Sequence, residues 1–179
     1  MSLFRTLQQS PATISIFHST KIPLSVSLYH LLDRAFIKLP AKATNQFQID
    51  LMKDKIPTFS QYQYLASNCL HDAKSKQALS NCYPFLKDRV SIAPEATQRV
   101  TFRGLESVSP TFKNRIFNEG EYSLIEETFN KLQEIKEDDI TDISPSDLFR
   151  APLIIDWDQN LIAADEEGLL NILKKYENQ

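Results

Sequence analysis

Apolar and polar positions along the chain follow two periods, and each predicts its own element. Ala12 to His18 is an apolar run bounded by Pro11 and by Ser19-Thr20-Lys21, which predicts a strand. After Pro23, Leu24, Leu28, Leu31, Leu32, Ala35 and Phe36 recur at helical spacing, so a helix from Leu24 to Ile37 is expected to pack one face on the sheet. Phe47 to Met52 alternates as a second, half-buried strand. With the helix as a crossover, the two strands are expected to be parallel neighbours. Thr58 and Gln61 have capping-box spacing and start a helix from Phe59 to Leu70 that buries Tyr62, Leu65 and Cys69.

His71 to Gln98 carries only short apolar groups and reads as short helices and loops. Arg99 to Arg103 reads as a short strand closed at Gly104. Leu124, Ile125, Thr128, Phe129, Leu132 and Ile135 share one helical face, with Glu119, Glu121, Glu126 and Glu127 toward the positive end of its dipole. An acidic connection, Glu137 to Asp142, leads to a turn or single helical turn at Pro145-Ser146-Asp147. Arg150-Ala-Pro then enters a strand, Leu153 to Trp157, which turns at Gln159-Asn160 and returns as an antiparallel partner, Leu161 to Ala164. Asp165 caps a last helix with the stripe Leu169, Leu170, Ile172, Leu173 and Tyr176.

Composition narrows the class. A chain of 179 residues, 42% hydrophobic and 24% charged, buries a core without disulfides or metals and reads as one domain. No apolar run reaches the ~18 residues of a spanning helix, so no integral membrane segment is expected. Two cysteines, Cys69 and Cys82, fit a reducing compartment. Residues 1–100 carry 12 Lys/Arg against 6 Asp/Glu, and residues 101–179 carry 8 against 17. Neither pole has the clustered basic and aromatic residues of a nucleic-acid site. No acidic residue precedes Asp33, and residues 1–10 are hydroxylated and roughly amphipathic, as short matrix-targeting segments are; an ordinary N-terminal helix reads equally well.

The strand H-S-T-K-I at His18–Ile22, the K-I-P-T at Lys55–Thr58 and the R-A-P-L-I-I-D at Arg150–Asp156 resemble the arsenate-reductase branch of the thioredoxin superfamily. In that branch a cysteine follows the first strand and an arginine at the last strand binds an oxyanion. Here His18 matches the loop histidine, Thr58 the Pro-Thr helix start and Arg150 the anion-binding arginine, while Ile22 occupies the position of the nucleophilic cysteine. The chain is more closely similar to a fungal family of mitochondrial redox proteins of thioredoxin-like fold, at M-S-L-F-R-T-L-Q, T-I-S-I-F, P-T-F-S-Q-Y-Q-Y-L-A-S-N-C, S-P-T-F and L-I-I-D-W-D-Q-N-L-I. The resemblance implies a mitochondrial protein that reduces small molecules through one cysteine. The element order agrees with the fold it implies: a thioredoxin-like α/β sheet, two parallel strands plus a C-terminal antiparallel hairpin, flanked by helices with an enlarged irregular middle. That family's cysteine falls beyond S-P-T-F, near Glu119 by simple continuation, whereas this chain has no cysteine after Cys82.

The remaining thiols are Cys69 and Cys82. Cys69 follows the Pro57-Thr58 helix and lies near His71, whose imidazolium would favour the reactive thiolate. Against this, a helical cysteine in a stripe with Tyr62 and Leu65 packs as a small hydrophobe, and a helix C-terminus disfavours thiolate. Cys82, between Asn81 and Tyr83-Pro84, is expected to be exposed and could pair with Cys69. Cys69, His71, Asp72 and Cys82 lack the second ligand pair of a structural zinc site. Gly104, Gly120 and Gly168 are isolated, so no phosphate-cradling loop exists, and no serine sits in a nucleophile elbow. No cofactor is expected.

Asp156 and Asp158 should share one strand face as an acid-base pair or, more plainly, an edge charge and a turn starter. Trp157, on the other face, is a core plug or interface anchor. Arg150 either binds an anion or pairs with Asp147 or Asp156, the pairing being favoured. Two functions remain open. One is a mitochondrial oxidoreductase acting on small molecules through Cys69 or Cys82. The other is a non-catalytic thioredoxin-fold binding or assembly protein with a protein partner.

Overall fold

A computed structural model describes residues 10–41, 43–84, 117–134 and 144–177. Four strands form one sheet: β1 (Ala12–His18), β2 (Phe47–Lys53), β3 (Leu153–Asp156) and β4 (Leu161–Ala163). Their order is β2-β1-β3-β4. β1 runs parallel to β2, from Ala12 opposite Phe47 to His18 opposite Lys53, while β3 is antiparallel to both β1 and β4. The expected parallel pair and C-terminal hairpin are both present. The expected strand at Arg99–Arg103, the acidic connection at 137–142 and the N-terminal segment 1–9 lie outside the described residues.

The first crossover is α1 (Pro23–Lys38), whose Pro23 suits a first helical position because the ring fixes φ and the missing N–H needs no partner there. Ser25, Leu28 and Leu32 are its buried residues. Leu24 and Phe36, expected on the packed face, are 47% and 44% exposed; they lie at the two ends of α1, beyond that central buried stripe. α2 (Phe59–Asn68) starts with the predicted box: Gln61 N–H donates to Thr58 Oγ1 at 3.3 Å and Thr58 N–H to Gln61 Oε1 at 2.9 Å. α3 (Ala73–Cys82) has its own reciprocal cap, between Asp72 and Ser75. α4 (Glu119–Glu134), the single turn α5 (Pro145–Leu148) and α6 (Glu166–Glu177) complete the helices. No helix among the described residues is long and apolar enough to cross a membrane.

Alternation in β1 divides the core in two. Ala12, Ile14 and Ile16 join Phe47, Ile154, Leu28 and Leu32 of α1 and Leu169, Ile172, Leu173 and Tyr176 of α6. Phe17 faces the other way, into a cluster with Tyr62, Tyr83, Phe117, Tyr122, Phe129, Phe149, Leu153 and Ile155. Leu170, placed in the α6 stripe by its spacing, is 42% exposed. Gly168 is where α6 meets β4: a Cβ there would lie 2.8 Å from Ala163 Cβ. The Ala151-Pro152 peptide at the entrance to β3 is cis.

Candidate functional site

The corner between β1 and α1 is closed by a residue with no sequence signal of its own. Ser25 is fully buried; its hydroxyl lies 2.8 Å from His18 Nδ1 and accepts the Ser19 N–H at 3.0 Å. His18 is buried too, with its ring 5.3 Å from that of Tyr29. Desolvation lowers its pKa below the ordinary histidine value, against the opposing Ser25 bond and the Asp54 charge, so the imidazole is neutral at pH 7. Ile22, at the helix N-cap, makes no side-chain cap. It lines a small pocket with His18, Asp54, Lys55, Phe149 and Ala151. The structure thus brings the matched loop histidine, Ile22 and the entrance to β3 together, around a side chain with no nucleophile.

Both thiols are elsewhere, and both are buried. Cys69 is the C-cap of α2, its N–H bonded to Leu65 O at 3.0 Å, and is 1% exposed. Burial pushes its thiol up to about 11, so at neutral pH it is protonated, and the negative end of the helix dipole acts in the same direction. Cys82 was expected to be exposed, but α3 continues through it and turns it inward, to 1% exposure. Its Sγ donates to Pro152 O at 3.4 Å, and its carbonyl accepts the Arg150 N–H at 2.8 Å. Cys69 and Cys82 are free thiols, not a disulfide.

Cys69 lines a cleft of about 330 Å³ between α3, β4 and α6, with His71, Lys74, Asp165, Glu167 and Lys174 also on its walls. Lys74 Nζ meets Glu167 Oε1 at 2.5 Å between the first turns of α3 and α6. Among the described residues no three His, Cys, Asp or Glu side chains are grouped to hold a metal ion.

Arg150 is exposed and makes neither favoured pairing; both carboxylates bond elsewhere. Asp147 accepts from Ser144 N–H and Oγ at the start of α5. Asp156, expected at an edge, is fully buried, because β3 lies inside the sheet between β1 and β4. Its oxygens accept from Asp158 N, Gln159 N, Gln159 Nε2 and Tyr176 Oη, which ties the β3–β4 turn to α6. Asp158 accepts the Thr13 N–H, so the two carboxylates serve separate structural bonds and are not a shared acid-base pair. Trp157 is half-buried, and its indole N–H donates to Ser15 Oγ at 2.8 Å.

The family model for proteins of unknown function, DUF1687, matches residues 4–165, and the chain belongs to that family. No curated protein and no solved structure matches the chain.

Proposed function

We propose that this DUF1687 protein is a thioredoxin-like binding or assembly protein that works without a nucleophilic thiol. One observation carries the reading: Cys69 and Cys82 are each 1% exposed. A thiolate in either position would be a buried anion, and Ile22 offers no substitute at the β1–α1 corner. The thioredoxin-like part is supported by the element order and by the parallel pair joined to a C-terminal hairpin. A mitochondrial setting belongs to the same proposal and rests on the acid-free N-terminal residues; cell fractionation of the untagged protein tests it.

Iodoacetamide titration of the native protein across pH, read by mass spectrometry, tests the thiol claim. Both cysteines should stay unmodified at neutral pH under conditions that fully alkylate the denatured chain. Rapid native alkylation of either sulfur, with a midpoint below the ordinary thiol range, overturns the proposal. The double variant Cys69→Ser/Cys82→Ser should preserve any cellular phenotype of the wild type.

A second reading, thiol-dependent reduction of a small molecule, has one observation in its favour. Cys69 lies on the wall of the 330 Å³ cleft, a volume in the range of small-ligand sites. It requires the cleft to open onto the sulfur and the thiol pKa to fall from about 11, which the same titration measures.

A further inference from the structure

The two edges of the sheet are not equally covered. Among the described residues, two helices, α3 and α6, pack against β4, whereas β2, the other edge, packs against α1 and has β1 as its one strand partner. Ala12 N–H donates to Gln46 O and Asp54 N–H to His18 O, both at 2.8 Å, so even-numbered residues of this segment turn their backbone groups toward β1. The N–H and C=O groups of Phe47, Ile49, Leu51 and Lys53 therefore point outward. Among the described residues nothing bonds to them. Edge strands elsewhere are blunted by proline, bulges or charge; β2 holds no proline, and its charged residues are Asp50, half-buried in mid-strand, and Lys53 at its end.

The strips on either side of this edge differ in chemistry. On the α1 side lie Ile49, half-buried, and Leu51, 42% exposed. On the opposite side lie Gln48 and Asp50. Asp50 Oδ2 accepts from Ser15 Oγ at 3.0 Å, and Ser15 in turn receives the Trp157 indole N–H. The carboxylate is thus held by one neutral donor, Ser15, and has no basic partner among the described residues.

We propose that the outer edge of β2, which nothing among the described residues pairs, is a docking strand for a partner segment in extended conformation that alternates apolar and basic side chains. The partner's backbone completes the outward N–H and C=O groups of Ile49 and Leu51, its apolar residues cover Leu51, and a lysine or arginine meets Asp50. A second copy of this chain fits poorly. In an antiparallel sheet, opposed residues share a face, and the residues of β2 on Asp50's face are Gln48 and Met52, so no antiparallel register of β2 on itself brings a cation to Asp50. The inference rests on the binding reading above. Thiol titration tests that reading, whereas protection of the β2 edge tests this one, so each can fail alone.

The probe is a blocked synthetic peptide of alternating valine and lysine, with a valine-glutamate peptide of equal length as its counterpart. Fluorescence anisotropy should show the lysine peptide binding, with affinity falling as salt is added. Amide hydrogen exchange should slow at Ile49 and Leu51 and not at residues already bonded to β1. Asp50→Asn should weaken binding by about tenfold, the loss of one charge-assisted contact. Leu51→Pro removes one outward N–H without touching the β1 ladder and should abolish edge protection. If that variant unfolds, Asp50→Asn and the exchange pattern still decide the question. Equal binding of the glutamate peptide, unchanged exchange at Ile49 and Leu51, or a concentration-dependent dimer that protects the same amides would each overturn the proposal.

Discussion

The two faces of the sheet bury comparable cores by different means. The α1–α6 face is aliphatic, built from Ile14, Ile16, Leu28, Leu32, Ile154, Leu169, Ile172 and Leu173, with Phe47 and Tyr176 at one end. The opposite face is aromatic and partly polar. Tyr62 and Tyr122 stack with ring centroids 4.9 Å apart, and Tyr83 and Phe117 pack around them. The hydroxyls form a chain in which Tyr83 lies 2.8 Å from Tyr122 Oη, which itself donates to Pro57 O. Since Tyr122 has only one proton, Tyr83 must donate to it. Aliphatic side chains adapt by small shifts, whereas this chain fixes each ring's angle through a directional bond. The aromatic face should therefore tolerate change less well.

Truncating one central residue on each face tests this directly. Tyr62→Ala removes a buried ring and leaves the Phe117 N–H without its acceptor, a bond of 3.2 Å, and should cost about 4 kcal/mol in chemical denaturation. Leu32→Ala, on the aliphatic face, opens a smaller cavity with no polar loss and should cost about 3 kcal/mol. A larger loss for Leu32→Ala would mean that the aliphatic face is the less adaptable one.

Alkaline titration separates the faces by charge. Burial raises the phenols of Tyr83 and Tyr122 on the aromatic face and of Tyr176 on the aliphatic face, the last helped by the neighbouring Asp156. Each is protonated in the fold at a pH where the unfolded chain has ionised, so each contributes stability that is present below about pH 10 and lost as pH rises. Cys69 begins the decline earlier, from its ordinary value of 9.0 up to about 11. Each raised group adds a slope of about 1.4 kcal/mol per pH unit. Tyr122→Phe leaves both Tyr83 Oη and Pro57 O unpaired and should cost about 2 kcal/mol near neutral pH. Tyr83→Phe leaves Tyr122 still bonded to Pro57 and should cost about 1 kcal/mol. Both variants should flatten the alkaline decline by one group's slope.

The aliphatic face was also the more legible from sequence. Helical spacing marks α1 and α6, each with a regular buried stripe, while an apolar run marks β1, buried on both faces, and alternation marks β2. The aromatic face is legible only in part: helical spacing also marks α2 through Tyr62, Leu65 and Cys69 and α4 through Ile125 and Phe129, but other residues that build it carry no such mark. Tyr122 and Glu121 are both buried at the start of α4, within an acidic run that reads as solvent-exposed. α3 buries only Ser75, Leu79 and Cys82, too few apolar positions to mark a helix, and its cap, Asp72 with Ser75, emerges from the structure. Cys82 is hidden for the same reason: Asn81 and Pro84 suggest a loop, whereas the helix turns the thiol inward. Ser25 and Asp156 are polar residues made core by partners seven and twenty positions away, His18 and Tyr176. Local pattern does not report such pairings, so Arg150, Cys69 and Cys82 could be named as candidates but not placed.

The smallest expected effect compares how the first helix on each face begins. α1 has no local cap and relies on Ser25, whose hydroxyl reaches back to His18 across the β1–α1 corner. α2 carries its own reciprocal box, Thr58 with Gln61, in an exposed turn. Thr58→Ala removes one of the two reciprocal bonds and should lower stability by about 1 kcal/mol, measured by urea unfolding, with little change at the buried rings. Thr58→Ser keeps the acceptor oxygen and should restore most of the loss. If Thr58→Ala instead perturbs the near-ultraviolet signal of Tyr62 and Tyr122, the start of α2 is coupled to the hydroxyl chain through Pro57, and the two faces differ in how their helix starts connect to the core as well as in what fills it.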